Sequence, residues 1–152
     1  MEQRMAVYAE AKFKVEFNDL DPMNVVWNGN YLNYYEKARR MLLDEIGYNY
    51  NIMKEDGFVF PVASIKSKYM HSLTFGDTVR VKAVLKEYEL CLKIEYEVYN
   101  DGTGVLCNKG ESVQMAVEAE SGESCFGCPQ ALIEGVKRLE QRMNNSAAGC
   151  AK

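Results

Sequence analysis

Glu16 to Arg39 reads EFNDLDPMNVVWNGNYLNYYEKAR, and the order of signals inside it decides how the rest of the chain must fold. The stretch opens at the end of a segment, Val7 to Phe17, in which Phe13, Val15 and Phe17 alternate with Lys12, Lys14 and Glu16. A period of two belongs to a half-buried strand. Asn18-Asp19-Leu20-Asp21-Pro22 then breaks the chain with polar side chains and a proline. From about Gly29 to Ile46 the period changes: Tyr31, Tyr35, Ala38, Leu42 and Ile46 recur at helical spacing, and Tyr34 and Met41 widen the stripe. Glu36, Lys37, Arg39, Arg40 and Asp44 flank it on the other face. Asn28 or Asn30 can cap the helix start, and Gly47 stands where a left-handed C-terminal cap is wanted. A stripe this broad needs a large apolar surface to lie against.

Downstream the pattern supplies that surface. Phe58 to Tyr69 is one candidate strand. After the Gly76-Asp77 turn, Val79, Val81, Ala83 and Leu85 alternate with Arg80, Lys82 and Lys86 in a second. Leu92, Ile94, Tyr96 and Val98 alternate with Lys93, Glu95 and Glu97 in a third, and Asn100-Asp101-Gly102-Thr103-Gly104 is a strong turn. A fourth strand is expected over Val105 to Ala119, with Val113, Met115 and Val117 on one face. Pro129 opens a last helix to about Met143, with Leu132, Ile133, Val136 and Leu139 sharing a face and a frayed tail after Asn144. Strand, long helix, four strands and a terminal helix make one α+β domain, an antiparallel sheet wrapped around one long helix.

Bulk properties set the class. The chain has 152 residues, 47% hydrophobic and 26% charged, with a net charge of −4. A domain this size buries roughly 68–70% of its unfolded surface and needs no staples. An acidic balance supplies no basic surface for nucleic acid, yet a few local Lys or Arg residues suffice to hold a phosphate. No apolar run reaches the length of a membrane span, and Met1 to Phe13 lacks the apolar centre of a signal peptide. The five cysteines are odd in number and scattered. The expectation is a soluble protein of the reducing cytoplasm, with no membrane and no nucleic-acid partner.

The chemistry sits in the opening stretch. Asp21 is a carboxylate in a tight loop, followed by the apolar Val25-Val26-Trp27 and the start of the long helix. A helix start offers unpaired N–H groups and the positive end of a dipole, which can stabilise an oxyanion. A carboxylate beside it can serve as nucleophile or general base. A lone loop Asp is also an ordinary turn former. The whole string resembles the hot-dog acyl-coenzyme A thioesterases, on the branch of the 4-hydroxybenzoyl-coenzyme A enzyme. The residues that carry the likeness are Glu16, Asp19, Asp21, Val25, Val26, Trp27, Asn30 and Tyr31, with Glu36 and Arg39 further on. The likeness continues through Pro61, Tyr69 and Gly76-Asp77 to Pro129.

The resemblance implies a hot-dog fold and hydrolysis of an acyl-coenzyme A thioester without metal or organic cofactor. Asp21 matches the family's catalytic aspartate, and the backbone N–H of Asn28 its oxyanion donor. Val26, Trp27, Tyr31 and Glu36 fall on the substrate side. The acyl and pantetheine groups are implied to lie between the long helix of one subunit and a strand of another, in a homodimer or a dimer of dimers. Family members carry Gly where this chain has Asn24; if that position needs positive φ, Asn is the least costly substitute. Two alternatives are an acyl-carrier-protein thioesterase and a non-catalytic binder of acyl thioesters.

Other residues read more plainly. His71, the one histidine, lies far along the chain from Asp21 and has no obvious acidic partner. Cys125-Phe-Gly-Cys128 lacks the second pair of a zinc site and the βαβ setting of a redox dithiol. Asp19 reads as a turn residue or as a group that orients the loop. The spacing of Glu36 favours an ion pair with Arg39 or Arg40. Tyr31, Tyr34 and Tyr35 read as core. Lys66, Lys68 and Lys82 could meet coenzyme A phosphates, although lysines scattered on strands usually form a solvated face.

Overall fold

The computed structural model describes residues 6–150, with side chains through residue 146. Strand β1 (Tyr8–Lys14) leads through a 3-10 turn (Phe17–Asp19) and a loop to helix α1 (Asn30–Ile46). A short helix α2 (Tyr50–Glu55) and strand β2 (Phe58–Val59) precede the strands β3 (Val62–Tyr69), β4 (Thr78–Glu87), β5 (Leu92–Asn100) and β6 (Leu106–Gln114). Strand β7 (Val117–Glu118) and helix α3 (Gln130–Cys150) close the chain. Five strands form one antiparallel sheet in the order β1-β4-β5-β6-β3, and β2 pairs with β7 apart from it. The sheet wraps α1, as the hot-dog resemblance implies.

Alternation explains the sheet's inner face. Val79, Val81 and Ala83 of β4 and Leu92, Ile94, Tyr96 and Val98 of β5 are almost wholly buried against the helix layer. From α1 they meet Tyr31, Tyr34, Tyr35, Ala38, Leu42 and Ile46. Helix α1 ends where expected, with Gly47 left-handed at φ 83° and its N–H returned to the carbonyls of Leu43 and Asp44. Tyr35 stacks on Tyr96 at 4.5 Å between ring centres. It then reaches past Gly110 to the side chains of Ser67 and Asn108. A Cβ at Gly110 would sit 2.3 Å from the Tyr35 ring, so only glycine lets that ring cross the sheet.

Several boundaries differ from the sequence expectation. Phe58 to Tyr69 is not one strand: Phe60-Pro61 separates β2 from β3, which belong to different sheets. The expected Val105 to Ala119 strand likewise divides into β6 and β7. The buried face of β6 is largely polar. Asn108, Ser112 and Gln114 are buried, Val113 is half-buried on the outer face, and Met115 and Val117, also half-buried, lie past the end of β6. Helix α1 starts behind Gly29, with no side-chain cap from Asn28 or Asn30. Phe17 and Met41, assigned to apolar faces, are 78% and 45% exposed, whereas Arg39, assigned to the polar flank, is buried. Helix α3 runs on to Cys150, past the expected end at Met143. Strand β3 is the sheet's open edge, with Val62, Ile65 and Tyr69 all exposed.

Candidate active site

The loop between β1 and α1 is built from hydrogen bonds that its own sequence supplies. Asp21 accepts the Met23 N–H on Oδ1 at 2.8 Å, its own N–H donates to the Val25 carbonyl at 2.8 Å, and Asn24 N–H returns to the Asp21 carbonyl at 3.0 Å. Closing so tight a turn puts Asn24 at φ 65°, the left-handed conformation expected of the position. Leu20 and Val26 then face each other as an isolated antiparallel bridge. Asp21 ends half-buried at the start of this turn, opposite Val25.

Asp19 both closes its own turn and ties the loop to the helix. Its carboxylate accepts the Tyr34 hydroxyl at 3.0 Å and the Glu16 N–H at 2.9 Å. Its carbonyl accepts the Trp27 N–H at 2.9 Å and the Asn30 side-chain amide at 2.8 Å. Burial, and then the hydrogen bond to Asp19, pushes the Tyr34 phenol well above its ordinary value, so it stays a neutral donor.

The start of α1 is a turn of backbone N–H groups. Its opening turn closes with Asn30 N–H to Trp27, Tyr31 N–H to Asn28 and Leu32 N–H to Gly29. The N–H groups of Asn28 and Gly29 are left with no protein acceptor among the described residues. The Trp27 indole, 54% exposed, lies over Gly29, where any Cβ would stand 2.4 Å from the ring.

Val26, Asn28 and Tyr31 line one cleft of about 210 Å³ with Tyr69, Met70, His71 and Ser72. The Tyr69 hydroxyl donates to the Asn28 carbonyl at 2.9 Å, and the Tyr31 and Tyr69 rings meet edge to face at 5.3 Å. His71, remote from the loop in the chain, is therefore beside Asn28 in space. The long β3–β4 connection returns it: Val26 N–H donates to Leu73 and Thr74 Oγ1 to the Asn24 carbonyl. No short-range signal in the sequence marks that return. Asp21 and Trp27 do not line the cleft. Glu36 lies further along α1, paired with Arg39 and with Arg40 at 3.4 Å, as its spacing favoured. Tyr31, Tyr34 and Tyr35 are all core residues, and Tyr31 also meets the cleft.

Cys125 and Cys128 stand at half burial in the bend before α3, and burial pushes the Cys128 thiol up to about 12. Among the described residues no group of His, Cys, Asp and Glu is placed to hold a metal ion.

A five-stranded antiparallel sheet around one helix, with a carboxylate loop and free N–H donors at the helix start, defines a hot-dog protein of the thioesterase type. Residues 15–138 match the Thioesterase-like superfamily, and the chain belongs to that family. YneP of Bacillus subtilis, provisionally named an acyl-CoA thioesterase, is 29% identical over 114 residues, spanning 74% of this chain and 82% of its own length. The acyl-CoA thioesterase YbgC of Helicobacter pylori is 31% identical over 75 residues, 49% of this chain and 53% of its own. The DHNA-CoA thioesterase of Staphylococcus aureus shares the fold with a TM-score of 0.78 at 23% identity, over 92% of this chain and 95% of its own. Among the described residues no helix is long and apolar enough to cross a membrane.

Proposed function

We propose that this chain hydrolyses acyl-coenzyme A thioesters to a free acid and coenzyme A. The observation that carries this reading is the pairing of the locked Asp21 loop with the unpaired N–H groups of Asn28 and Gly29 at the start of α1. Family membership supports it, as does the acyl-CoA thioesterase named among the relatives. In the proposed reaction Asp21 attacks the thioester carbonyl or takes a proton from the attacking water. Negative charge gathers on the carbonyl oxygen, where the Asn28 N–H accommodates it. The carbon–sulfur bond then breaks, and the leaving thiolate takes up a proton; where Asp21 itself attacked, water then cleaves the acyl–aspartyl anhydride, releasing the acid and restoring the Asp21 carboxylate. Val26 and Tyr31 border the acyl group, with Trp27 and Glu36 toward its ends.

The cleft of one chain is shallow and does not include Asp21, so the working site is completed in a homo-oligomer, a dimer or a dimer of dimers. A cytoplasmic setting suits the free thiols of Cys91, Cys107, Cys125 and Cys128. The test is Asp21→Asn. The amide keeps the oxygen that accepts the Met23 N–H and removes the charge, so the loop should survive. Hydrolysis of acyl-coenzyme A substrates should fall at least about a hundredfold, near 2.7 kcal/mol of barrier, with an unchanged melting curve. A folded variant that keeps most of the rate would remove Asp21 from the mechanism.

A further inference from the structure

The cleft at the start of α1 contains a side chain with no structural task, the imidazole of His71. Its backbone is fixed from two sides. The N–H groups of Met70 and His71 both donate to the Cys107 carbonyl, at 2.9 and 3.0 Å, where β3 ends. Just beyond, the Leu73 carbonyl accepts the Val26 N–H at 2.9 Å, and Thr74 Oγ1 reaches the Asn24 carbonyl at 2.8 Å. The two segments therefore run antiparallel, and the step from Val26 on to Asn28 matches the step from Leu73 back to His71. The ring itself is exposed and makes no hydrogen bond or ion pair among the described residues. An anchored backbone thus presents an unengaged imidazole beside the proposed oxyanion donor.

Its neighbours cannot exchange a proton in the same way. Burial raises the Tyr31 phenol well above its ordinary value, so it stays neutral, and the Tyr69 hydroxyl is committed to the Asn28 carbonyl. No Asp, Glu, Lys or Arg lines the cleft among the described residues. Imidazole is the side chain that ordinarily changes charge between about pH 5 and 8. We propose that His71 is a further catalytic residue, the acid that protonates the leaving thiolate. The role rests on the thioesterase reading, in which the carbon–sulfur bond breaks beside the Asn28 N–H. The electron pair of that bond goes to sulfur, and the imidazolium N–H gives its proton to the same sulfur, leaving a neutral ring and a free thiol. One proton of the water consumed then passes through solvent to the ring, which restores the imidazolium together with the Asp21 carboxylate.

The test compares the full-length wild type, His71→Ala and His71→Gln on two thioesters of one acyl group, the coenzyme A ester and the thiophenyl ester. Thiophenol is a much stronger acid than the thiol of coenzyme A, so its thiolate departs without a proton donor. On the coenzyme A ester both variants should lose at least roughly tenfold in kcat, with KM within about twofold. On the thiophenyl ester both should stay within about twofold of the wild type. Melting curves should coincide, because the exposed ring leaves no partner unpaired. Equal losses on the two esters would make His71 a structural or oxyanion-binding group, and recovery in His71→Gln would make it a hydrogen-bond donor instead of an acid. Either result overturns the role, as does undiminished turnover of the coenzyme A ester by both variants. A wild type that hydrolyses neither ester removes the thioesterase reading and this role together. Wild-type turnover with any of the other adverse results removes the role of His71 alone.

Discussion

Asn24 shows how one backbone angle can govern a candidate catalytic group. At φ 65° it lies where a side chain with Cβ is disfavoured, and Asn is tolerated because its short amide bonds locally. Asn24→Gly should leave the melting temperature unchanged or slightly higher. Asn24→Val should cost about 1–2 kcal/mol, a fall of roughly 2–4 °C for each kcal/mol. It should also slow hydrolysis, since the same turn sets Asp21. Thermal melts and turnover measured on both variants check this; a Val variant as stable as wild type would mean the turn is not strained. The left-handed need was legible because Asn stands where the resembling enzymes carry Gly. The place of His71 was not. Its approach to Asn28 depends on bonds from the Val26 N–H and the Thr74 hydroxyl to residues about fifty positions apart in the chain, which no local pattern encodes.

At the scale of the element, α1 is held by phenols. Tyr31, Tyr34 and Tyr35 are each at most 3% exposed, and burial raises all three, Tyr35 to about 12 from its ordinary 10.0. A phenol raised in the fold is bound to its proton more firmly folded than unfolded. Its contribution to stability is therefore complete below pH 10 and is lost as pH rises through the folded value. We expect melting temperature to fall steeply between about pH 10 and 12, with tyrosinate absorbance appearing together with unfolding rather than before it. A flat profile, or ionisation of all ten tyrosines in the folded chain, would contradict this. The helical stripe itself was readable from spacing. The inner face of β6 was not, because Asn108, Ser112 and Gln114 are buried polar residues whose partners come from α1, β5 and β2–β3. Ser112 bonds Tyr96, and the Gln114 amide donates to the Phe60 carbonyl. The period of two placed Val113, Met115 and Val117 on one face but could not say that Val113 turns outward.

For the whole molecule the open question is what covers β3. Helix α1 lies over the β1 and β4 side, and the edge leaves Val62, Ile65 and Tyr69 at 39–51% exposure. An unpaired edge with apolar side chains invites another copy of the chain. Light scattering at micromolar concentration should give twice the chain mass or a multiple of it. Ile65→Asp should shift the mass toward the monomer and reduce hydrolysis with it. A wild-type monomer with full activity would show that one chain holds a complete site.

The sequence by itself determined the α+β order, the antiparallel hairpins, the helix with its glycine stop and the carboxylate loop before it. Each is set by contacts within a few residues or by a period along one element. Tertiary structure decided which face of β6 turns inward, that Phe60-Pro61 ends one sheet and begins another, and that Arg39 is buried beside Tyr96. It also brought His71 to Asn28. Those outcomes depend on strand register and on competition among distant partners. Such energies exist only once the sheet has closed over the helix.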